Sequence, residues 1–378
     1  MSTEDSLPVE VVAAGMSLGG LQQLIDDAGL GRINPTTVSV NDVDYAFGSP
    51  ATAALRRISG RDVDGRPWSL FCKVIQHARH WPGLARLPSD SHDRLASAYP
   101  WRQELGLWDP EFRATMPATM RPPQLYQVVD LGDDRLALWM EDVQHTMRPW
   151  DLTRYAAAAR ALGRWNQRAR NPQLLEATGL PPHFPLRIFS QNALRARGLE
   201  PLATDELWAH EWLRPHTDLR QTLRSLAARL TDLIARLDTM PLCRPHGDAS
   251  PQNLLVPDQT PNEFVVIDLS QQAPTALGCD LGQLAVGLIH AELVSPDMLP
   301  TIAATVLPAY CAGVRDEGYA ANEDLIESAM WTSMLVRSGF DSLRYDWLAH
   351  DAASDHEATF AARVELTRRI AIGASKIL

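Results

Sequence analysis

The chain has 378 residues, of which 45% are hydrophobic and 21% are charged. This is the composition of an ordinary globular protein that is large enough for two lobes or domains. The net charge of −11 argues against a nucleic-acid-binding protein, which normally presents a basic face. The four cysteines are widely spaced without a C-x-x-C pair, so no zinc site or disulfide framework is indicated. With no signal core and no apolar run of membrane-spanning length, we expect a cytoplasmic protein that does not bind a membrane.

The first third of the chain predicts a small sheet preceded by a helix. Apolar residues at helical spacing predict a helix over residues 18–30, and a strand is predicted over residues 36–40. Residues 48–55 form a turn rich in small residues. Strands over residues 55–58 and 68–75 are expected to pair, and Lys73 stands alone among the apolar residues of the second one.

A second strand pair completes this region. Residues 76–98 are rich in His, Arg, Pro and Ser, which predicts an irregular insertion. Residues 99–108 predict a helix with Pro100 in its first turn. Strands over residues 128–130 and 136–140 then predict an antiparallel pair.

From about residue 150 the hydrophobic period changes to 3.6, which predicts a helical region. Leucine-rich stripes are typical of core helices, and residues 171–217 are expected to carry an inserted helical pair. Asp280 has the position of a helix N-cap. The predicted helices cover residues 152–165, 219–237, 281–289, 298–314, 324–336 and 357–378.

The most informative stretch is His246-Gly247-Asp248-Ala249-Ser250-Pro251-Gln252-Asn253, which leads to Asp268. Residues 253–256 and 264–267 predict a hairpin with Asp248 at its entrance and Asp268 at its exit. Such a hairpin returns the chain to its origin, so Asp248, Asn253 and Asp268 are expected to converge. Two carboxylates and an amide oxygen suit Mg²⁺, with one carboxylate left as a base.

H-G-D-x-x-x-x-N followed by I-D resembles the catalytic and metal loops of the aminoglycoside phosphotransferase and choline kinase-like family, relatives of protein kinases. The resemblance implies an α+β, two-lobed protein-kinase-like fold. A small antiparallel-sheet N-lobe would cover residues 1–142, and a large, mainly helical C-lobe would cover residues 143–378. Gln252 and Leu269 depart from residues common in the family, which leaves the subfamily open.

The resemblance also implies roles in the C-lobe. Asp248 would accept the acceptor's hydroxyl proton or orient the nucleophile, and His246 would support the loop by hydrogen bonds. Asn253 and Asp268 would hold Mg²⁺, and Asp280 would brace the catalytic loop. The implied reaction transfers the γ-phosphoryl group of ATP or GTP to a hydroxyl of a small molecule.

In the N-lobe, the resemblance implies that Lys73 positions the phosphates and pairs with Glu104, with Glu111 as the alternative partner. Ser49 and Thr52 lie where family members cover the phosphates, although an ordinary hairpin turn explains them equally well. Met140 would line the adenine pocket, and backbone groups of Glu141 to Val143 would bond the adenine edge. An ordinary core position is the alternative for Met140.

The acceptor is open at this stage. An aminoglycoside or related antibiotic, or a sugar, choline or amino alcohol of metabolism, would fit the same motifs, and a silent nucleotide-binding protein is a further alternative. The negative net charge and the acidic segment 341–357 favour a cationic acceptor, although a solvated acidic surface explains the segment as well. The acidic residues of this segment are Asp341, Asp346, Asp351, Asp355 and Glu357. The sequence does not indicate an oligomeric state.

Overall fold

The computed structural model describes residues 7–43, 48–86, 89–146, 149–348 and 356–378. Its helices are α1 (Val9–Ala13), α2 (Leu18–Asp27), α3 (Ser89–Ala98), α4 (Pro110–Arg113), α5 (Leu152–Arg168), α6 (Pro172–Glu176), α7 (Phe184–Gln191), α8 (Glu200–Ala203), α9 (Asp205–Trp208), α10 (Thr217–Leu237), α11 (Cys279–His290), α12 (Leu299–Asp316), α13 (Glu323–Met334), α14 (Tyr345–Leu348) and α15 (Glu357–Ser375). Its strands are β1 (Ser39–Asp42), β2 (Thr52–Arg61), β3 (Pro67–Gln76), β4 (Met120–Arg121), β5 (Leu125–Gly132), β6 (Arg135–Glu141), β7 (Leu242–Cys243), β8 (Leu254–Leu255), β9 (Phe264–Val266) and β10 (Thr275–Ala276).

The chain forms two compact units. The sheet unit contains residues 1–109, 122–145 and 257–259, and the helical unit contains residues 110–121, 146–256 and 260–378. The segment with α4 and β4 therefore belongs to the helical unit, although it lies between parts of the sheet unit in sequence.

The sheet unit is built on five antiparallel strands in the order β1-β2-β3-β6-β5. Successive side chains of a strand point to opposite faces, so β3 divides its residues between two environments. Leu70, Cys72 and Val74 join the core beneath α2, whereas Ile75 packs on the other face with Leu138 and its neighbours. Both predicted strand pairs are confirmed.

Local turn chemistry changes three predictions in the sheet unit. The strand predicted at residues 36–40 begins only at Ser39, because Asn34 caps a 3₁₀ turn over Pro35–Thr37. The insertion at residues 76–98 is not irregular throughout, since it contains α3. The helix predicted at residues 99–108 is a 3₁₀ helix over Gln103–Trp108.

The helical unit is organised around α5 and α12, which pack closely. A Cβ added to Gly163 in α5 would lie 2.2 Å from the backbone oxygen of Tyr310 in α12, so only glycine permits this approach. Among the described residues, Pro296–Asp316 is long and apolar enough to cross a membrane by length and composition, and its α12 portion packs against α5. The predicted insertion at residues 171–217 contains several short helices instead of one pair.

Two short strand groups position the motif region. β8 and β9 pair antiparallel, with Leu254 opposite Val266, which confirms the predicted hairpin. β4 adds to β9 in parallel and was not predicted, because two residues give no periodic signal. β7 precedes this segment in the sequence and β10 follows it, and these two strands pair antiparallel.

Candidate active site

In the sheet unit, Lys73 and Glu104 form a buried ion pair. Lys73 Nζ lies 2.5 Å from Glu104 Oε2, and the two side chains are 9% and 7% exposed. Lys73 is opposite Leu138 in the β3–β6 register, so it points to the face of the sheet that carries Leu138. Glu104, and not the alternative Glu111, is therefore the partner that the structure places beside Lys73. Removal of either charge would leave the other buried without this partner, which is strongly destabilising.

The turn at residues 48–52 is held together by its own polar groups. The hydroxyl of Ser49 accepts a hydrogen bond from the amide of Ala51 and lies 3.2 Å from the Tyr99 hydroxyl. The amide of Thr52 donates to the backbone oxygen of Ser49. Two amides of this turn are thus engaged internally, which favours an ordinary turn over a phosphate cover.

The segment predicted to bond adenine is partly engaged in the sheet unit itself. The backbone amide of Glu141 donates a hydrogen bond to the backbone oxygen of Gln124. This amide is therefore engaged within the sheet unit, although the sequence suggested that it would bond the adenine edge. Met140 is 5% exposed and packs with Ile75 and the neighbouring core, and Val143 is 7% exposed. Met140 therefore has the ordinary core environment.

In the helical unit, the loop before Asp248 is braced by Asp280. One carboxylate oxygen of Asp280 accepts from the amide of Gly247 at 2.9 Å, and the other accepts from the amide of His246 at 3.1 Å and from Asn166 Nδ2 at 2.9 Å. Asp280 is 2% exposed, so these charge-assisted bonds are shielded from water. The predicted bracing is present, whereas the N-cap prediction is wrong, because Gly278 occupies that position.

The turn at Gly247 requires glycine. Its φ is +87°, and an added Cβ would lie 2.4 Å from the backbone oxygen of Gln271. His246 is fully buried, and its Nδ1 accepts from the amide of Asp248 at 3.2 Å. His246 therefore shapes the loop by hydrogen bonding, as predicted.

A further buried network surrounds this loop. Tyr310 accepts hydrogen bonds from Asn166 and from the amide of Gly278, and burial raises its pKa well above the ordinary value. Arg244 donates to Gln272 at 2.8 Å and stacks 4.1 Å from the centre of the Phe112 ring. These contacts join distant parts of the sequence, so no local motif indicated them.

Asp248 pairs with an arginine that sequence reasoning missed. Arg337 Nη2 lies 3.3 Å from Asp248 Oδ1, and Arg337 Nη1 donates to the backbone oxygen of Gly247 at 2.5 Å. The side chains of Arg337 and Asp248 are 20% and 24% exposed, so both reach solvent. Arg337 lies in a π-helical turn, Leu335–Gly339, a distortion that is frequent at functional sites. In the sequence, the signal for Arg337 was a single charged residue within an apolar stretch.

Asn253 and Asp268 are brought together by the β8–β9 hairpin. The amide of Ile267, the residue before Asp268, donates to the backbone oxygen of Asn253 at 3.1 Å. Asn253 Nδ2 donates to the backbone oxygen of Asp248 at 2.9 Å, which ties the amide side chain to the loop. Asp268 has a φ of 59°, an uncommon conformation that often marks a functional position.

The donor set fits the predicted cation. Among the described residues, no group of three His, Cys, Asp or Glu side chains could hold a metal ion. An amide oxygen from Asn253 and a carboxylate from Asp268 are hard ligands, and Mg²⁺ typically takes one or two protein ligands and completes its shell with water and phosphates. The residues therefore suit Mg²⁺ better than a soft metal.

Two carboxylates of the acidic segment are engaged in ion pairs with arginines. Asp341 pairs with Arg197 at 2.9 Å, and Asp346 pairs with Arg344 at 2.6 Å. Asp351 and Asp355 lie outside the described residues. The first two carboxylates are thus compensated by arginines that the sequence could not place beside them.

No family model and no curated protein sequence matches the chain. Solved structures with similar architecture include an amicoumacin kinase in complex with AMP-PNP, Ca²⁺ and Ami (TM-score 0.52, 12% identity, 92% of this chain and 93% of that chain). Others are an aminoglycoside phosphotransferase from Alicyclobacillus acidocaldarius (0.52, 15%, 90% and 92%) and a spectinomycin phosphotransferase in complex with ADP and spectinomycin (0.52, 10%, 94% and 98%). At these identities the likeness establishes the fold. The chain has the α+β, two-lobed kinase-like fold of small-molecule phosphotransferases.

Proposed function

We propose that this protein is a small-molecule phosphotransferase that moves the γ-phosphoryl group of ATP or GTP to a hydroxyl group. The observation that carries the proposal is the hairpin that joins Asp248, Asn253 and Asp268, on a loop that Asp280 braces from within the helical unit. The kinase-like fold supports it, since similar structures are complexed with AMP-PNP or ADP.

Asp248 is the proposed base. Its carboxylate takes up the proton that the acceptor hydroxyl loses as the hydroxyl oxygen bonds to the γ-phosphorus and the nucleoside diphosphate leaves. Partial exposure of the side chain supports this role, because an acceptor must be able to reach it. His246 and Asp280 hold the loop in place, so the base needs little reorganisation during the reaction.

In the sheet unit, Lys73 is the proposed phosphate ligand. Lys73 binds the phosphates through its ammonium group, and the short contact with Glu104 fixes the direction of that group. Asn253 and Asp268 hold Mg²⁺, which neutralises negative charge on the phosphates when it is bound. Ser49, Thr52 and Glu141 contribute less in this proposal, because their described polar groups are engaged within the sheet unit.

The proposed chemistry requires only that the acceptor is an alcohol. An antibiotic such as an aminoglycoside and a metabolic sugar, choline or amino alcohol both satisfy the proposed roles. A silent nucleotide-binding protein is disfavoured, because the base and both metal ligands are present in the sequence.

An acceptor screen tests the proposal. Purified protein is incubated with Mg²⁺ and ATP or GTP and with panels of aminoglycosides, sugars, polyols, hydroxy acids and amino alcohols, and products are scored for a mass gain of one phosphate. We expect transfer to at least one alcohol, which is abolished by EDTA and absent without nucleotide. Failure of Mg²⁺-nucleotide to bind at millimolar concentration would overturn the proposal.

A further inference from the structure

Arg337 places a guanidinium group directly beside Asp248. The guanidinium bridges the oxygen of Gly247 and the carboxylate of Asp248, and it keeps some exposure to solvent. A guanidinium has five N–H donors in a fixed plane, so these two contacts leave further donors for a ligand. Any molecule that places a hydroxyl at Asp248 therefore presents its neighbouring substituents to Arg337.

The loop that carries Asp248 is anchored on α11. The loop packs on this helix, since a Cβ added to Gly287 would lie 2.3 Å from Ser250 Oγ. His290, one turn further along, ends the helix. The loop that carries Asp248 and His290 are therefore both connected to α11.

Two further arginines meet this path. Arg363, from α15, pairs with Glu292 at 2.6 Å, donates to the backbone oxygen of His290 at 3.4 Å and is 11% exposed. His290 is partly exposed at its surface, and burial of its ring with the charges of Arg363 and Arg197 lowers its pKa to about 4. The charge of Glu292 acts in the opposite direction, and that of Arg337 lowers the pKa further. Three guanidiniums from separate elements thus act on one neutral imidazole. We name this surface the arginine recess, which comprises Arg197, His290, Arg337, Asp341 and Arg363.

The recess also contains an unsatisfied acceptor. The side chain of Asp341 is 9% exposed, and its Oδ2 pairs with Arg197, whereas its Oδ1 has no hydrogen-bond partner among the described residues. Buried polar atoms are normally paired, so an orphaned oxygen indicates a ligand donor or water. Asp341 would accept from a second hydroxyl of a bound alcohol while the guanidiniums bind an anionic group.

We propose that the acceptor is an alcohol that carries an oxyanion, a carboxylate or a phosphate, which Arg337 binds within the arginine recess. The inference rests on the proposed phosphotransferase function and narrows its acceptor class. Arginine recognises carboxylates and phosphates with paired N–H donors, whereas an ammonium group has no acceptor atom for these donors. This reverses the expectation of a cationic acceptor that the net charge and the acidic segment suggested.

Binding of inorganic sulfate tests the recess without knowledge of the acceptor. The full chain is saturated with Mg²⁺ and AMP-PNP, so that the nucleotide site is filled, and is titrated calorimetrically with sulfate or with choline at constant ionic strength. We expect sulfate to bind and choline not to bind. Arg337→Ala should weaken sulfate about tenfold to a hundredfold, the range expected for losing a hydrogen bond to a charged group.

Two variants control the experiment. Arg337→Lys keeps the charge but loses the planar pair of donors, so it should weaken sulfate less than Arg337→Ala does. Arg160→Ala breaks a comparable arginine–aspartate pair with Asp316 on another part of the unit and should leave sulfate binding unchanged. Thermal melts of each variant establish that it is folded, and Arg337→Lys provides the test if Arg337→Ala does not fold.

The acceptor screen supplies a second test through compounds matched in shape but not in charge. One set is gluconate, glucose and glucosamine, and the other is glycerate, glycerol and ethanolamine. Within each set, the anionic compound should be the preferred acceptor. Loss of Arg337 should raise KM for the anionic member more than for the neutral member. Absent sulfate binding, sulfate binding that does not depend on Arg337, or preferred phosphorylation of the cationic member would overturn the inference.

Failure of the inference differs from failure of the proposed function. If Mg²⁺-nucleotide binds and sulfate does not, the phosphotransferase proposal stands and the recess has another use. If nucleotide does not bind, sulfate is titrated into the nucleotide-free protein. Binding that depends on Arg337 would then leave an anion site, while the proposed function is rejected.

Discussion

The bracing of the Asp248 loop by Asp280 makes Asp280→Asn an informative change. The substitution preserves the size of the side chain but leaves one acceptor oxygen where the carboxylate has two. Asp280 accepts from the amides of His246 and Gly247 and from Asn166, so the new amide group must turn its own N–H atoms toward at least one of these donors. At 2% exposure, water cannot replace the lost acceptor.

The expected magnitude follows from these contacts. A hydrogen bond to a charged group contributes about 1.5–3 kcal/mol, and an unsatisfied buried donor costs about 1–3 kcal/mol. We expect Asp280→Asn to lower the free energy of unfolding of the helical unit by about 2–4 kcal/mol. For a unit of this size, such a loss lowers Tm by roughly 5–15 °C. Turnover should fall as well, because the loop that carries Asp248 loses its support.

Thermal unfolding followed by circular dichroism measures the effect, and Asp297→Asn is the control. Asp297 is 74% exposed and pairs with Arg369 at 3.0 Å, so its loss should cost less than about 1 kcal/mol. Equal Tm shifts for Asp280→Asn and Asp297→Asn would refute the view that Asp280 is a buried brace.

Three other outcomes are expected. Mg²⁺-ATP should raise Tm, because a ligand at a hundred times its Kd stabilises the folded state by about 2.7 kcal/mol. EDTA should reduce this shift, and no shift at millimolar nucleotide would count against the nucleotide site. Gly247→Ala should lower both Tm and turnover, whereas Gly29→Ala, also at positive φ but in open space, should cost only backbone strain of about 1–2 kcal/mol; equal Tm losses would remove the packing argument. Hydrogen bonding from Arg168 lowers the pKa of Glu317, so this carboxylate stabilises the fold above about pH 5 and stops doing so as pH falls through its folded pKa. Glu317→Gln should therefore lower Tm at pH 7 and leave it unchanged near pH 2, and equal shifts at both would contradict the assignment.

The sequence predicted the parts of the site that depend on short-range order. The β8–β9 hairpin follows from two apolar runs around a turn, and it places Asn253 beside Asp268 as expected. The strand pairs of the sheet were also predictable from alternation. Glu104 could be suggested only through the family resemblance, because 31 positions separate it from Lys73 in the chain and the 3₁₀ turn that carries it has no helical period.

Long-range contacts account for what was missed. Arg337 reaches Asp248 from 89 positions away in the sequence, through a π-helical turn that no periodicity indicates. The acidic segment suggested open negative charge, since a one-dimensional pattern does not reveal that Arg197 lies against Asp341. The net charge therefore reflects the whole protein surface and does not predict which charges lie beside Asp248, the proposed base.

The central claim is the division of labour between a base and a metal ligand, which two substitutions test most directly. Asp248→Asn keeps the shape of the side chain and removes the basic oxygen, so turnover should fall by about two orders of magnitude or more while nucleotide affinity stays nearly constant. Asp268→Ala removes a metal ligand, so turnover and Mg²⁺-dependent nucleotide affinity should both fall.

The measurement is nucleotide titration of both variants with and without Mg²⁺, alongside turnover with the acceptor found in the screen. The account predicts wild-type nucleotide affinity for Asp248→Asn and weakened, Mg²⁺-insensitive binding for Asp268→Ala. Equal loss of nucleotide affinity in the two variants, or unimpaired turnover in Asp248→Asn, would contradict it.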